Sequence, residues 1–367
     1  MTFAGNALAV TAILWTLILV FAPPVSALRA RLNAFIPLVI FSVFAVIFAV
    51  RGNYGHPDRT VYTNELQLIS GHTLPAAFSL TFQTAREPLY IFFMWVVSNG
   101  GVTTEWLYLC VGTVSVLIYL AALLKLVPWW QAPLIWFTTL ALGFFTSYES
   151  LVARQGLSMT MLFAAVCLIL TGARSRWWIL LLIAAALMHW SAIPIAVTIA
   201  LVAFVRVRLR TIVAIWGVFA LLFLTGVQER VLGPVAGIIP GLTDYTDPSL
   251  NTTYTGGANR RDFLIFSLVV LVFGLIAVRR GAPTQWYPRL MVFYTTLNIY
   301  FLLFGFILFS DRLAAYSWTL APLVLAIPFA YPKSTIGRMG TVGFVIAVIA
   351  YGFVRGPFPQ MAGITSF

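Results

Sequence analysis

Long apolar stretches separated by short polar loops dominate the pattern of the chain. They fall at 4–22, 33–50, 104–124, 133–147, 156–173, 177–188, 191–205, 211–227, 263–278, 289–309, 313–331 and 339–354. Most approach the roughly 20 residues that a helix needs to cross the hydrocarbon core of a bilayer. Because a spanning helix satisfies its own backbone hydrogen bonds in lipid, the pattern predicts an all-α, polytopic membrane protein with about 12 transmembrane helices.

Two stretches between these segments are too long to be simple connections. The stretch 51–103 is predicted to be an outer-face excursion, with an amphipathic juxtamembrane element over 60–84 and a re-entrant or half-buried helix over 88–98. The stretch 228–262, rich in proline, glycine and aspartate, is predicted to be an ordered outer-face loop. We expect neither to fold separately, so the sequence predicts a single transmembrane domain over 1–367.

The composition places the chain in the same class. Of its 367 residues, 61% are hydrophobic and only 9% are charged, which is too little charge to cover the surface of a soluble domain. The net charge of +12 is expected to orient the protein and to meet anionic lipid headgroups rather than nucleic acid. Cys110 and Cys167 both lie inside apolar stretches, so no disulfide framework is predicted.

The charged residues sort into two sets of alternate loops. One set contains every acidic residue: Asp58, Glu65, Glu87, Glu105, Glu149, Glu229, Asp244, Asp247, Asp262 and Asp311. The other set contains only basic residues: Arg29, Arg31, Lys125, Arg174, Arg176, Arg206, Arg208, Arg210, Arg279, Arg280, Arg289, Lys333 and Arg338. Because Lys and Arg favour cytoplasmic loops, this sorting predicts that the basic loops are cytoplasmic and that all the acids face outward, and twelve crossings put both termini on the same side of the membrane.

Candidate chemistry therefore lies on the predicted outer face, at the depth of the membrane interface. The residues singled out there are Arg51, Asp58, Arg59, Arg86, Glu87, Glu149, Arg154, Gln155, His189, Arg312 and Tyr316. Guanidinium groups bind phosphate oxygens bidentately and stay charged at any working pH, and a carboxylate or imidazole can accept a proton. Together they suit a lipid-linked phosphate or diphosphate.

Several of these residues also have structural interpretations that the sequence leaves open. Arg51 has the position of an interface anchor, and Glu87 precedes Pro88 as a helix cap does. His189 also fits a hydrogen-bonded histidine between helices, and Asp311 with Arg312 fits a local ion pair.

The order of these motifs resembles the EpsG-type proteins, which group with the Wzy-like polymerases of bacterial exopolysaccharide and O-antigen synthesis. The resemblance covers about residues 45–320. The motifs that carry it are Arg51, Gly55, Asp58 and Tyr62, then Glu87 before a short helix, Arg154-Gln155, His189 with Ser191, and Arg312 with Tyr316. The family usually has Gly-Thr-Asp where this chain reads Gly55-His56-Pro57-Asp58, one residue longer.

The resemblance implies a GT-C-like glycosyltransferase of the bacterial inner membrane, with its active site facing the periplasm. It would join oligosaccharide repeat units carried on undecaprenyl diphosphate, which serve as donor and acceptor. A chain-length regulator is a further expected partner. The rival functions are a GT-C transferase that adds single sugars from a polyprenyl phosphate, and a flippase or transporter of lipid-linked glycans. A transporter would place ionisable groups at mid-bilayer, whereas here they collect at one interface.

The hypothesis gives these residues distinct roles. Arg51, Arg154 and Arg312 are assigned to the donor diphosphate. Asp58 or Glu87 is the base toward the acceptor hydroxyl, and His189 assists the leaving group or acts as an alternative base. The remaining substrate-binding candidates are Arg59, Arg86, Glu149, Gln155 and Tyr316. No cofactor or metal is required, because arginines supply positive charge, although Asp58 with Glu87 is a possible ligand pair for a divalent ion.

Overall fold

The computed structural model describes residues 3–21, 27–53, 56–81, 87–172, 176–236, 259–281, 283–307, 310–330 and 335–357. All regular secondary structure in these ranges is helical, which confirms the all-α prediction.

Eighteen helices follow one another along the described residues. They are α1 (Phe3–Phe21), α2 (Ala27–Arg51), α3 (Pro57–Ile69), α4 (Leu74–Thr81), α5 (Pro88–Ser98), α6 (Thr104–Leu126), α7 (Ala132–Leu142), α8 (Phe144–Leu151), α9 (Ala153–Leu170), α10 (Trp177–Met188), α11 (Ala192–Phe204), α12 (Leu209–Thr225), α13 (Val227–Ala236), α14 (Arg261–Arg279), α15 (Tyr287–Phe304), α16 (Ser310–Trp318), α17 (Ala321–Ala330) and α18 (Thr335–Val354).

Each predicted apolar segment coincides largely with one helix or with two consecutive helices. Six helical stretches among the described residues are long and apolar enough to cross a membrane: Asn33–Arg51, Thr104–Leu126, Ala153–Leu170, Arg261–Arg279, Ser310–Ala330 and Gly337–Val354. A seventh results if the bent pair α12–α13 forms one span. The chain is thus a polytopic membrane protein, while twelve crossings stay a prediction.

Breaks in the helices occur where the backbone leaves the helical region. Gly143 separates α7 from α8 with φ of +81°, a left-handed conformation that glycine adopts without the steric cost of a Cβ atom. The predicted segment 133–147 is therefore two short helices. Val152 separates α8 from α9, and Gly226, with φ of +71°, lies at a 90° bend between α12 and α13.

The predicted short helix over 88–98 is present as α5. Pro88 occupies its first turn, where backbone N–H groups make no hydrogen bond within the helix, so the N–H that proline lacks is not needed. Glu87 precedes it with extended backbone. With 11 residues, α5 is shorter than a span. Its re-entrant position in the membrane stays a prediction. The rest of the excursion forms α3 and α4.

The helices group into two compact units, one comprising Met1–Val197 with Phe329–Phe367 and the other Thr198–Pro328. In the first unit α9 is the central helix: 89% of its span lies buried, and it packs against α6, α8 and α10. In the second unit α15 packs against α12, α14 and α16. The single domain over 1–367 stays a prediction.

Candidate functional site

Glu87 is the centre of a charged cluster in the first unit. Arg154 Nη1 donates a hydrogen bond to Glu87 Oε2 at 3.0 Å, and His189 Nδ1 lies 3.1 Å from Glu87 Oε1. The side chain of Glu87 is only 9% exposed, whereas those of Arg154 and His189 are 21% and 20% exposed. A largely buried carboxylate is thus held between two side chains that solvent still reaches.

Three helix ends bring these groups together. Glu87 is the residue before α5 and makes no side-chain cap hydrogen bond there, which leaves both carboxylate oxygens for its partners. Arg154 is the second residue of α9, and His189 follows α10 with extended backbone. Because Ser158 on α9 donates to the carbonyl of Ala185 on α10 at 2.9 Å, these two helices are fixed next to each other.

Two tyrosines and a second carboxylate surround the guanidinium of Arg154. Its Cζ atom lies 5.4 Å from the ring centroid of Tyr62 and 5.3 Å from that of Tyr90, within the range of a cation–π interaction. Tyr90 donates from its hydroxyl to Glu65 Oε2 at 3.2 Å. The rings and carboxylates therefore form a preorganised environment that favours a cation at this position.

The two carboxylates of the site differ in acidity. Burial raises the pKa of Glu87, but the hydrogen bond from His189 and the positive charge of Arg154 more than offset this, so that the pKa is lower than its ordinary value. Burial raises the pKa of Glu65 above its ordinary value, against the smaller effects of Arg154 and Tyr90. Glu87 is therefore the carboxylate that stays charged over the wider pH range.

The guanidinium of Arg154 is fixed by one hydrogen bond and is still partly exposed. Within the described part of the chain its hydrogen bond to Glu87 uses Nη1, and its buried Nε has no hydrogen-bond partner. A guanidinium has five N–H donors in a planar fork. A phosphate is chemically suited to a partly exposed guanidinium, because its oxygens accept hydrogen bonds from more than one N–H.

Arg59, a predicted substrate-binding residue, is buried and binds backbone carbonyls. Its guanidinium donates to Ala49 O at 3.1 Å, to Val50 O at 2.6 Å, to Ser150 O at 3.1 Å and also to Gly52 O. It also stacks on the ring of Tyr108, with Cζ 3.8 Å from the centroid. These contacts satisfy carbonyls at the C-terminal end of α2 and link them to the end of α8. This geometry is that of a structural clamp.

His56, Pro57 and Asp58 form the start of α3. His56 is the N-cap, and its Nδ1 accepts a hydrogen bond from the backbone N–H of Asp58 at 3.3 Å. Pro57 and Asp58 occupy the first turn, where proline and an acid are both favourable. Asp58 is half-buried, and Arg51, the last residue of α2, is exposed.

Glu149 and Gln155 lie inside the first unit, next to α9. Glu149 is 1% exposed and accepts hydrogen bonds from Ser115 Oγ at 2.6 Å and from Thr160 Oγ1 at 3.0 Å. Gly156 allows this packing, because a Cβ atom there would lie 2.9 Å from the carboxyl carbon of Glu149. Gln155 is fully buried. Neither side chain offers accessible surface to a substrate in this conformation.

The structure thus brings only some of the predicted site residues together. Glu87, Arg154 and His189 meet directly. Arg312, half-buried, and Tyr316, buried, belong to the second unit, and Arg86 lies outside the described residues.

Sequence reasoning did not assign a site role to Glu65 or Tyr90, which lie beside Arg154. The signal available was helical spacing. Tyr62, quoted in the motif, shares a helix face with Glu65 three residues later, and Tyr90 follows Glu87 by the same interval. In the part of the chain that the structure describes, no group of three or more His, Cys, Asp or Glu side chains is arranged to hold a metal ion.

A sequence model described as the EpsG family matches residues 34–357, most of the chain and every residue of the cluster. No curated protein and no solved structure matches the chain significantly.

Proposed function

Because the chain belongs to the EpsG family, we propose that it is a membrane glycosyltransferase that polymerises a bacterial exopolysaccharide or O-antigen. The substrates in this proposal are oligosaccharide repeat units linked to undecaprenyl diphosphate, one acting as donor and the other as acceptor. The family supports the polymerase class, the undecaprenyl diphosphate carrier is what the resemblance implies, and the guanidinium of Arg154 suits such an anion.

The observation that carries the proposal is the state of Arg154. Its guanidinium is anchored to Glu87 through one nitrogen, and its side chain is one-fifth exposed. Positive charge held in place before the reaction stabilises the negative charge that develops on a departing diphosphate. The protein can supply this stabilisation without a metal ion.

In the proposed reaction, a hydroxyl oxygen of the acceptor sugar attacks C1 of the donor sugar. The bond between C1 and the diphosphate oxygen breaks, and the electron pair leaves with the lipid diphosphate. Arg154 neutralises part of that charge, and Arg51 is proposed as a further contact of the diphosphate. The hydroxyl proton passes to a base on the protein.

The setting of this reaction is also part of the proposal. We propose a GT-C-like arrangement with twelve crossings in the bacterial inner membrane, with the cluster near the periplasmic face. The grouping of acidic residues in one set of loops supports this orientation. A chain-length regulator is the protein partner we propose.

Replacement of Arg154 tests the proposal. We expect Arg154→Ala to reduce polymer formation by roughly 10²–10³-fold, as loss of one preorganised donor to developing charge does in other enzymes. Arg154→Lys keeps a positive charge but loses the planar fork, so its activity should lie between those of the wild type and Arg154→Ala. The measurement is polymer yield and chain length in a deletion strain complemented with each variant at equal protein level.

Arg280→Ala is the matched control, because Arg280 is exposed at the end of α14 in the second unit. We expect this variant to make polymer of normal length. Unchanged yield and length from both Arg154 variants would remove Arg154 from the mechanism. Purified protein given lipid-diphosphate-linked repeat units should form a ladder of products. Addition of one sugar only would favour the single-sugar transferase.

A further inference from the structure

We propose that Glu65 is the base that accepts the proton of the acceptor hydroxyl, and that Tyr90 is a positioning residue that holds its carboxylate. This inference rests on the proposed function and deepens it, because that function requires a base on the protein and does not name one. Glu65 takes the place of Asp58 or Glu87, which the sequence suggested for this role.

Tyr90 connects Glu65 with the guanidinium that is proposed to bind the diphosphate. Its hydroxyl donates to Glu65 Oε2 at 3.2 Å, and the centroid of its ring lies 5.3 Å from Arg154 Cζ. This is the one hydrogen bond of Glu65 within the described part of the chain, and it occupies a single carboxylate oxygen. Because an ionised carboxylate accepts on both oxygens, Oε1 of this half-buried side chain remains for a substrate hydroxyl.

This placement suits a reaction in which the attacking and the departing group are present together. The acceptor hydroxyl and the diphosphate oxygen are both at C1 of the donor sugar, so the base and the cation must be near each other without pairing. Tyr90 contacts both, with its ring beside Arg154 and its hydroxyl on Glu65. Among the described residues the carboxylate that pairs with Arg154 is Glu87, and Glu65 forms no ion pair with it.

Glu87, the other carboxylate of the site, is arranged for a different task. Arg154 binds one of its oxygens, His189 contacts the other, and its side chain is only 9% exposed. Burial raises the pKa of Glu65, whereas the partners of Glu87 lower its pKa, so Glu65 is the stronger proton acceptor. Environments that shift two carboxylates in opposite directions are typical of sites that need one proton-transfer group and one permanent charge.

The charged and titratable groups around Glu65 come from α3 and its neighbours. Arg154 and Tyr90 lower the pKa of Glu65 and Glu87 raises it, each by less than burial does. Helix α4 carries no titratable side chain. The other titratable residues on α3, on α6 and in the connection to α4 are Asp58, Arg59, Tyr62, His72, Glu105, Tyr108, Cys110, Tyr119 and Lys125.

In the proposed step Glu65 Oε1 takes the hydroxyl proton while the acceptor oxygen forms its bond to C1 of the donor sugar. The bond between C1 and the diphosphate oxygen breaks, and its electron pair leaves with the lipid diphosphate beside Arg154. The proton on Glu65 then passes to water, which restores the carboxylate for the next addition.

Glu65→Gln separates the chemical role from a structural one. The amide oxygen of glutamine still accepts from Tyr90, so the link between α3 and α5 is kept, but the amide does not take up a proton. We expect this variant to lose roughly 10²–10⁴-fold in polymerisation rate, the usual contribution of a general base. Glu65→Asp keeps a carboxylate on a shorter side chain and should recover part of the rate. The assay uses membranes that contain the full-length protein and lipid-diphosphate-linked repeat units, at matched protein levels.

Glu105→Gln is the matched control, because Glu105 is a half-buried carboxylate in the first turn of α6, and we expect it to keep the wild-type rate. A wild-type rate from Glu65→Gln would overturn the proposal. In that case a loss in Asp58→Asn or His189→Asn would assign the base to that residue. Wild-type protein that makes no polymer would refute the proposed function itself, and this outcome is distinct from an active wild type with an equally active Glu65→Gln.

The pH dependence of the rate in Tyr90→Phe provides a second measurement, which leaves Glu65 in place. Because the hydrogen bond from Tyr90 lowers the pKa of Glu65, its loss should raise that pKa, and the acid limb of the rate should move to higher pH. A role of Tyr90 in packing alone would lower the rate without moving the limb. An acid limb at the same pH in Tyr90→Phe and in the wild type would contradict Glu65 as the base.

Discussion

Among individual residues, Glu87 determines how the site is arranged because it links two other residues. The same carboxylate contacts the guanidinium proposed to bind the diphosphate and the imidazole of His189. Removing one member of such a buried group leaves another charge without its partner. Effects of replacing Glu87, Arg154 and His189 should therefore be strongly non-additive.

The acidity of Glu87 predicts how protein stability depends on pH. Because its pKa in the folded protein is below the ordinary value of 4.5, its charged form contributes stability above that value, and the contribution is lost as the pH falls through the folded pKa. We expect the difference in melting temperature between wild type and Glu87→Gln to stay constant from pH 7 to about pH 5. It should shrink below the ordinary value of 4.5. Thermal unfolding of purified protein in detergent provides the measurement.

Glu65→Gln is a control with the opposite sign. Burial raises the pKa of Glu65 in the folded protein, so its charged form costs stability as the pH rises through the ordinary value. The wild type should therefore lose stability relative to Glu65→Gln with rising pH. The same trend with pH for both variants would show that a global effect, and not these two local environments, sets the pH dependence.

At the level of helices, buried polar side chains hold elements together within each unit. In the first unit Glu149 on α8 accepts from Ser115 on α6 and Thr160 on α9. In the second unit Asn298 on α15 donates to Ser267 on α14 and Ser317 on α16, and Trp216 on α12 donates to its oxygen. Because lipid offers no competing hydrogen bonds, such contacts specify which helices pack together.

Replacement of Asn298 tests this conclusion. Asn298→Ala leaves the indole N–H of Trp216 and the hydroxyls of Ser267 and Ser317 without this amide partner in the interior. We expect a loss of about 1–3 kcal/mol in the free energy of unfolding, the usual cost of unsatisfied buried groups. Thermal unfolding of the purified protein is the measurement, and Asn298→Ala should melt at a lower temperature than the wild type.

Thr296→Ala is the comparison variant for Asn298, two residues away on the same helix. The hydroxyl of Thr296 donates to the carbonyl of Val292 in its own helix, so its removal disconnects no neighbouring element. Equal melting temperatures for the two variants would mean that the amide network does not hold α15 to its neighbours.

For the whole molecule, the separation of acidic and basic loops predicts which residues face outward. In a background where both native cysteines are replaced by serine, Gln67→Cys on α3 should react with a membrane-impermeant maleimide in intact spheroplasts. Arg280→Cys should react only after the membrane is permeabilised. Both positions are exposed in the structure, so accessibility to the reagent reports the side of the membrane. Labelling of both positions in intact spheroplasts would contradict the predicted orientation.

The sequence by itself determined the helical class and the approximate positions of the helices, because apolar runs of this length have one stable form in lipid. It also located α5, since Pro88 begins a short apolar run that ends at a polar turn. It identified Glu87, Arg154 and His189 individually because ionisable side chains are costly beside apolar spans and therefore few.

Only the tertiary structure decided which of these residues meet and what each one binds. Glu87 and His189 are 102 residues apart, and their contact depends on the packing of α5, α9 and α10, which hydropathy along one segment does not encode. Arg59 and Glu149 are an arginine and a glutamate, as Arg154 and Glu87 are, yet their partners differ. Arg59 donates to backbone carbonyls, and Glu149 accepts hydrogen bonds from two hydroxyl groups. The physical reason is that the partner of a charged group is set by what folding places within hydrogen-bond distance, and that distance is a property of the packed helices.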